Sequence, residues 1–142
     1  LYVTKKPIKQ EELKMGTDPL FAPIPGADHR DIGGIELDIV PTGTARVKRM
    51  IYPPGFRWST QMKPVAQTDY CMHAHVGFLA RGSIRVLFSD GCVEDYVAPC
   101  VLSVAPGHDT WVMGDEACVF IEFDFERDTV RRLGIPEKHC HK

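Results

Sequence analysis

The densest run of metal-capable side chains in this sequence is Asp69-Tyr70-Cys71-Met72-His73-Ala74-His75. Asp69, Cys71, His73 and His75 recur at every second residue. In an extended strand all four would face one side, with alternate side chains about 6.5–7 Å apart. Two imidazoles at that spacing can reach one ion. A third, His108, follows the turn Pro106-Gly107 and shares its parity with Thr110. A sheet fold that brings this strand opposite the first would make His73, His75 and His108 a three-imidazole site, with Cys71 or Asp69 available as a fourth ligand. Such a set suits a divalent transition metal, with Zn, Fe, Ni, Cu and Mn as candidates. An open coordination position would polarise a bound oxygen or activate a water.

Each residue also has a plainer role open to it. The histidines could hydrogen-bond within a polar interior, with no metal. Cys71 reads as a buried thiol, Asp69 as a cap at the strand entrance, and His108 as a partner of Asp109 or of backbone. His29 reads as an exposed loop residue. His139-Cys140-His141 could scavenge an ion from a tail. Other chemistries lack their motifs: there is no Gly-rich phosphate loop, no GxSxG elbow and no HExxH pair. Glu94-Asp95 and Asp115-Glu116 read as solvated charge.

The elements that must hold these residues are short. Residues 1–34 form an irregular arm with at most one short helix around Ile8 to Lys14, since Pro19, Pro23 and Pro25 block helix further on. The arm is expected to serve oligomerisation or to cover a sheet edge. Strands are predicted at Ile35 to Ile39, Arg46 to Tyr52, Asp69 to Ala80, Ser83 to Phe88, Cys92 to Val97, Cys100 to Val104, Thr110 to Met113 and Ala117 to Phe125. Glycine turns separate them. In the last strand Ala117, Val119, Ile121, Phe123 and Phe125 share one face, opposite Glu122 and Asp124. A short helix from Glu126 to Leu133 should end at Gly134. The expected divisions are the arm at 1–34, a β-barrel at 35–125, and a short helix and tail at 126–142. Many short strands with little helix indicate an all-β sandwich or barrel.

Two segments resemble the cupin superfamily of double-sheet jelly rolls. Asp69 to Gly82, followed by Ser83-Ile84-Arg85-Val86, is similar to the first cupin motif. Val104-Ala105-Pro106-Gly107-His108-Asp109-Thr110-Trp111-Val112-Met113-Gly114-Asp115-Glu116 is similar to the second, in the shortened form of small single-domain cupins. The resemblance spans about Phe56 to Phe125 and implies a double-stranded β-helix, that is, a jelly-roll barrel. Anchored on Gly82, it sets His75 in the place of the family's Glu and Asp69 and Cys71 in the places of its two His. Thr110 stands where the second motif has its His, two residues after His108. The resemblance implies a transition metal and a small organic molecule as ligand, with oxygenase, isomerase or lyase chemistry. The alternative is a metal-free, non-enzymatic ligand-binding or sensory cupin. A homodimer is expected.

Candidate pocket residues are Trp58, Phe78, Arg85, Thr110 and Trp111. Phe78, Leu79, Val86, Phe88, Trp111, Phe120 and Phe123 are candidates for core or lining. Arg49, Arg57 or Arg85 could meet a carboxylate ligand.

Composition narrows the class. The 142 residues suit one domain, and 44% hydrophobic with 25% charged residues is a globular balance. A net charge of −2 exerts no pull toward nucleic acid or membrane. No stretch approaches the roughly 20 apolar residues of a membrane helix, and the opening residues lack a signal-peptide core. Five cysteines with no CxxC pair argue for reduced thiols in the cytoplasm.

Overall fold

The computed structural model describes residues 18–139. The helix expected near Ile8 to Lys14 lies outside the described residues. Among the described residues, nine antiparallel strands build two sheets: β1 (Asp28–Ile32), β2 (Ile35–Thr42), β3 (Ala45–Tyr52), β4 (His75–Arg81), β5 (Ser83–Phe88), β6 (Val93–Val97), β7 (Cys100–Val104), β8 (His108–Met113) and β9 (Cys118–Phe125). The larger sheet runs β1-β2-β3-β9-β4-β7 and the smaller β6-β5-β8. The two face each other as an all-β jelly roll. Two single-turn helices, α1 (Trp58–Gln61) and α2 (Lys63–Ala66), cross between β3 and β4, and α3 (Thr129–Leu133) follows β9. Among the described residues, no helix is long and apolar enough to cross a membrane.

Alternation places the core. Leu79, Val86, Phe88, Leu102, Val104 and Phe120 turn inward from both sheets and meet Phe56 and Trp58 from the β3–α1 connection. Each such side chain contributes about 1.5–3 kcal/mol by leaving water. Gly77 allows β4 and β9 to approach closely, because a Cβ there would lie 1.9 Å from the Ile121 carbonyl oxygen.

Four sequence expectations change. β1 forms inside the 1–34 arm and pairs with β2 as the sheet's edge, because its backbone finds a complete antiparallel partner from Ile35 to Ile39. The remaining described arm lies against β3 and β4: the Arg49 guanidinium donates to the carbonyls of Pro19 (3.3 Å) and Ala22 (2.7 Å), and Arg81 pairs with Asp18. The predicted strand Asp69 to Ala80 begins only at His75, since the backbone of Cys71 bonds instead to Gly107 and His108 in an isolated bridge. In β9 only one of the two core candidates turns inward, Phe120, and it does so on the face that carries the acidic residues. Glu122 and Asp124 are buried at 1% and 7% exposure, whereas Phe123 is 49% exposed. Their inward turn is stabilised by β3, whose Lys48 and Arg46 stand opposite in register. Finally, the last helix starts at Thr129 rather than Glu126, because Asp128 adopts a left-handed backbone; Gly134 ends it as expected, at φ +67°. Val130 and Ile135 then pack on Ala74, Val76 and Ala105.

Candidate metal centre

A cavity of about 410 Å³ lies between the sheets. Its walls are mainly apolar: Leu37, Met50, Tyr52, Phe56, Trp58, Met62, Leu79, Ile84, Val86, Leu102, Val104 and Phe120. Cys71, His75 and His108 stand together in one part of that wall, each offering a ligand atom within 4.8 Å of the others. The irregular segment before β4 supplies Cys71. The first residue of β4 supplies His75, and the first of β8 supplies His108. Two backbone bonds clamp the pieces: Cys71 N–H donates to the His108 carbonyl, and Gly107 N–H donates to the Cys71 carbonyl, both at 2.8 Å. Cys71 Sγ lies 3.6 Å from His75 Nε2. The two imidazole centroids are 5.2 Å apart, edge to face.

Both rings are oriented from behind. His75 Nδ1–H donates to Glu122 Oε1, and His108 Nδ1 donates 2.7 Å to the Ala105 carbonyl. In each ring Nε2 is therefore the nitrogen left for an ion, the arrangement that carboxylates and backbone carbonyls impose on metal-binding histidines. Behind Glu122 runs a charge chain. Lys48 Nζ is 3.0 Å from Glu122 Oε2 and 2.6 Å from Asp124, which also takes a bidentate pair from Arg46.

The electrostatics favour a thiolate. Burial alone pushes the Cys71 thiol up, but hydrogen bonds from His108 and His75, reinforced by their charge, bring it down to about 5. Burial works against a charged His75, yet the Glu122 carboxylate and the bonds to Cys71 and Glu122 hold its pKa well above the ordinary imidazole value. Burial likewise opposes ionised Glu122, and His75 and then Lys48 overcome it, leaving that carboxyl below the usual range. Two nitrogens and a thiolate sulfur fit a borderline-soft divalent ion such as Zn²⁺ better than Mn²⁺, which prefers oxygen.

Solved structures resemble this arrangement of strands. A Cupin 2 conserved barrel domain protein from Salinispora arenicola superposes at TM-score 0.52 with 16% identity, covering 79% of this chain and 92% of that one. The chain has the cupin fold. KdgF from Halomonas is another cupin-type neighbour (TM-score 0.50, 18% identity, 71% of this chain and 88% of that one). So is the Lactobacillus farciminis oxalate decarboxylase formate complex (0.52, 16%, 79%), of which this chain spans 40%. At these identities the likeness is one of fold. No protein-family model and no curated protein matches the sequence.

Within this cupin barrel the sequence-predicted site residues separate into two groups. His75, His108 and Cys71 come together, and Trp58 and Thr110 line the cavity. His73 reaches the cavity wall but is exposed and stands outside the three-residue cluster, because no strand runs through residues 71–74 to keep it in phase with His75. Asp69 is 89% exposed beside Lys63. Phe78 points out from the sheet, one residue from inward Leu79. Arg85 is on the outer side of β5, paired with Asp95 at 2.7 Å. Trp111 is outside the cavity lining, next to inward Thr110, and lies beneath Arg57, 4.4 Å from its ring centroid. Arg57 also holds Asp109, and Arg49 is buried against Asp38, so no predicted arginine reaches the cavity. His29 belongs to β1 and bonds Asp38 at 2.7 Å.

Glu122 and Lys48 escaped sequence reasoning. The signal was present in two strands of complementary alternation: Arg46 and Lys48 in β3, and Glu122 and Asp124 in β9.

Proposed function

We propose that this protein is a small-molecule-binding cupin in which Cys71, His75 and His108 hold one divalent transition metal, Zn²⁺ or Fe²⁺ before Mn²⁺. The supporting observation is the engaged Nδ1 of both imidazoles, which leaves two Nε2 atoms beside a thiol that ionises readily. When bound, such an ion supplies a Lewis acid able to polarise an oxygen of the ligand. The chain's own residues orient that ligand and exclude water. The cations that reach the cavity from the strands, Arg46 and Lys48, are neutralised by Asp124 and Glu122. The ligand that fits is therefore a largely apolar organic molecule, and Arg127, which also lines the cavity, is the cation placed to meet an acidic group on it. Oxygenase, isomerase or lyase chemistry on such a molecule is the class of activity proposed. Cys71, Cys100 and Cys118 are free thiols, which agrees with a reducing cytoplasm. Phe78, Val101 and Phe123, exposed on the outer face of the large sheet, are where two copies would pair as a homodimer.

A second reading rests on the same cluster. The Cys71–His75–Glu122 array satisfies itself as an ion-paired set, which would serve a metal-free ligand-binding cupin. Elemental analysis of protein purified without chelator or metal column separates the two. The proposal expects one equivalent of transition metal per chain that is lost in Cys71→Ala and kept in His73→Ala. A Cys71-dependent equivalent that never appears, even after Zn²⁺, Fe²⁺ or Ni²⁺ is added, would establish the metal-free reading.

A further inference from the structure

A second group of ligand-capable side chains stands on the smaller sheet, away from the cavity wall. Asp90 and Cys92, in the turn between β5 and β6, meet His139 from the C-terminal segment, with one carboxylate oxygen, one sulfur and one ring nitrogen within 4.8 Å of one another. The approach is specific. The His139 ring stacks on Phe88 at 3.9 Å between centroids and 17° between planes. Its Nδ1 lies 2.7 Å from Asp90 Oδ2, and its Nε2 lies 3.5 Å from Glu94 Oε1. Asp90 Oδ1 in turn accepts the Cys92 N–H at 2.9 Å, which fixes the carboxylate between thiol and ring.

Oxygen, sulfur and nitrogen converging from two separate chain segments make a mixed set that suits a borderline-soft divalent ion. We propose that Asp90, Cys92 and His139 form a second metal site, for a Zn²⁺-type ion, that clips the C-terminal segment onto the β5–β6 turn. Glu94 faces the ring's other nitrogen and would orient His139 from behind, and the two carboxylates give the site a negative balance. A tetrahedral zinc site separates its nitrogen and oxygen ligands by roughly 3.3 Å. Asp90 and His139 therefore need to part by only about 0.6 Å from their hydrogen-bonded distance. The third group of this kind, His29 with Asp31 and Glu36, lies on the exposed surface and contains no sulfur. Phe88 links the clip to the barrel cluster, since its ring also meets His108 at 6.2 Å, edge to face.

The test is zinc stoichiometry by equilibrium dialysis of the full chain, followed by elemental analysis. Cys92→Ala and Asp90→Asn are each expected to lose one equivalent of bound zinc. This loss should be additive to that in Cys71→Ala, while a Cys140→Ala/His141→Ala chain keeps the Cys92-dependent equivalent. Zinc uptake by Cys92→Ala equal to wild type, or loss of that equivalent in the Cys140/His141 variant, would overturn the site. Failure of the barrel proposal would look different: Cys71→Ala would then change nothing and the Cys92-dependent equivalent would remain. Should Cys92→Ala not fold, Co²⁺ in the Cys71→Ala background decides. A thiolate-to-cobalt band lost in Cys92→Ser supports the site, and no band overturns it. Zinc should also slow C-terminal trimming by a serine carboxypeptidase in wild type and not in Cys92→Ser; equal rates would overturn the clip.

Discussion

Residues 48 and 49 of β3 point to opposite sides of one sheet, and each meets a buried carboxylate. On the outer side, Arg49 is bound to Asp38 and to two arm carbonyls, with both partners of the ion pair 5% exposed. On the inner side, Lys48 meets Glu122, whose other oxygen takes the His75 proton at the edge of a cavity. The chemistry of the two pairs is nearly the same, yet their surroundings differ. The outer pair is closed by backbone and fastens the arm to the barrel. The inner one passes its charge to an imidazole beside a thiol. A buried ion pair is thus a fastener where its remaining hydrogen bonds end in the chain, and part of a site where they end at an opening.

The comparison can be broken most forcefully at Arg49. Arg49→Ala strands Asp38 and should cost about 3–5 kcal/mol in denaturant unfolding, while the protein that remains folded keeps its Cys71-dependent metal. Loss of that metal from folded protein would erase the distinction between the two sides. The same pair sets an acid limit. Burial raises Asp38, but the bonds from His29 and Arg49 overcome it and lower its pKa. Its contribution is therefore complete above the ordinary aspartate range and lost as pH falls through the depressed value. Asp38→Asn should flatten the acid limb of the stability profile.

Glu122→Gln sharpens the contrast from the other side. It keeps the shape but removes the charge behind His75, so metal affinity should fall about 10–100-fold, measured by competition with a chromophoric chelator. A loss of stability with unchanged affinity would make Glu122 a fastener as well. The smallest effect belongs to His29, half-exposed at the rim of the outer pair. Its bond to Asp38 raises its pKa, so its contribution is present below the ordinary imidazole value and disappears as pH rises through the raised one. His29→Asn should lower the melting temperature slightly at acidic pH and leave it unchanged at alkaline pH. An equal shift at both would assign His29 a packing role.

Much of the barrel was legible because glycine turns and period-two runs are local signals. The strands from Ser83 to Val104 fall where alternation placed them. The site was half legible. His75 and His108 were recognisable as histidines near turns, and Cys71 as the residue in a motif's ligand place. Alternation misled at His73, since it assumes an unbroken strand, and the bridge between Cys71 and His108 breaks that strand. It misled again in β9, where Phe123 seemed the natural core residue. A carboxylate goes inside when a cation opposite receives it, and that partner lies 74 residues away in Lys48. Such pairings follow from register, which no single strand carries.

Gly77 restricts how this barrel could be reshaped by descent or design. It stands opposite Glu122 in the ladder and two residues from His75. Any larger side chain there must push β9 from β4 against a backbone carbonyl, moving the carboxylate off the ring it steadies. Reshaping the pocket from the non-strand wall, at Trp58 and Met62, leaves that close approach of β4 and β9 untouched. The meeting of β4 and β9 at Gly77 is thus a fixed point of the frame, and the crossing between β3 and β4 is a wall that can change around it.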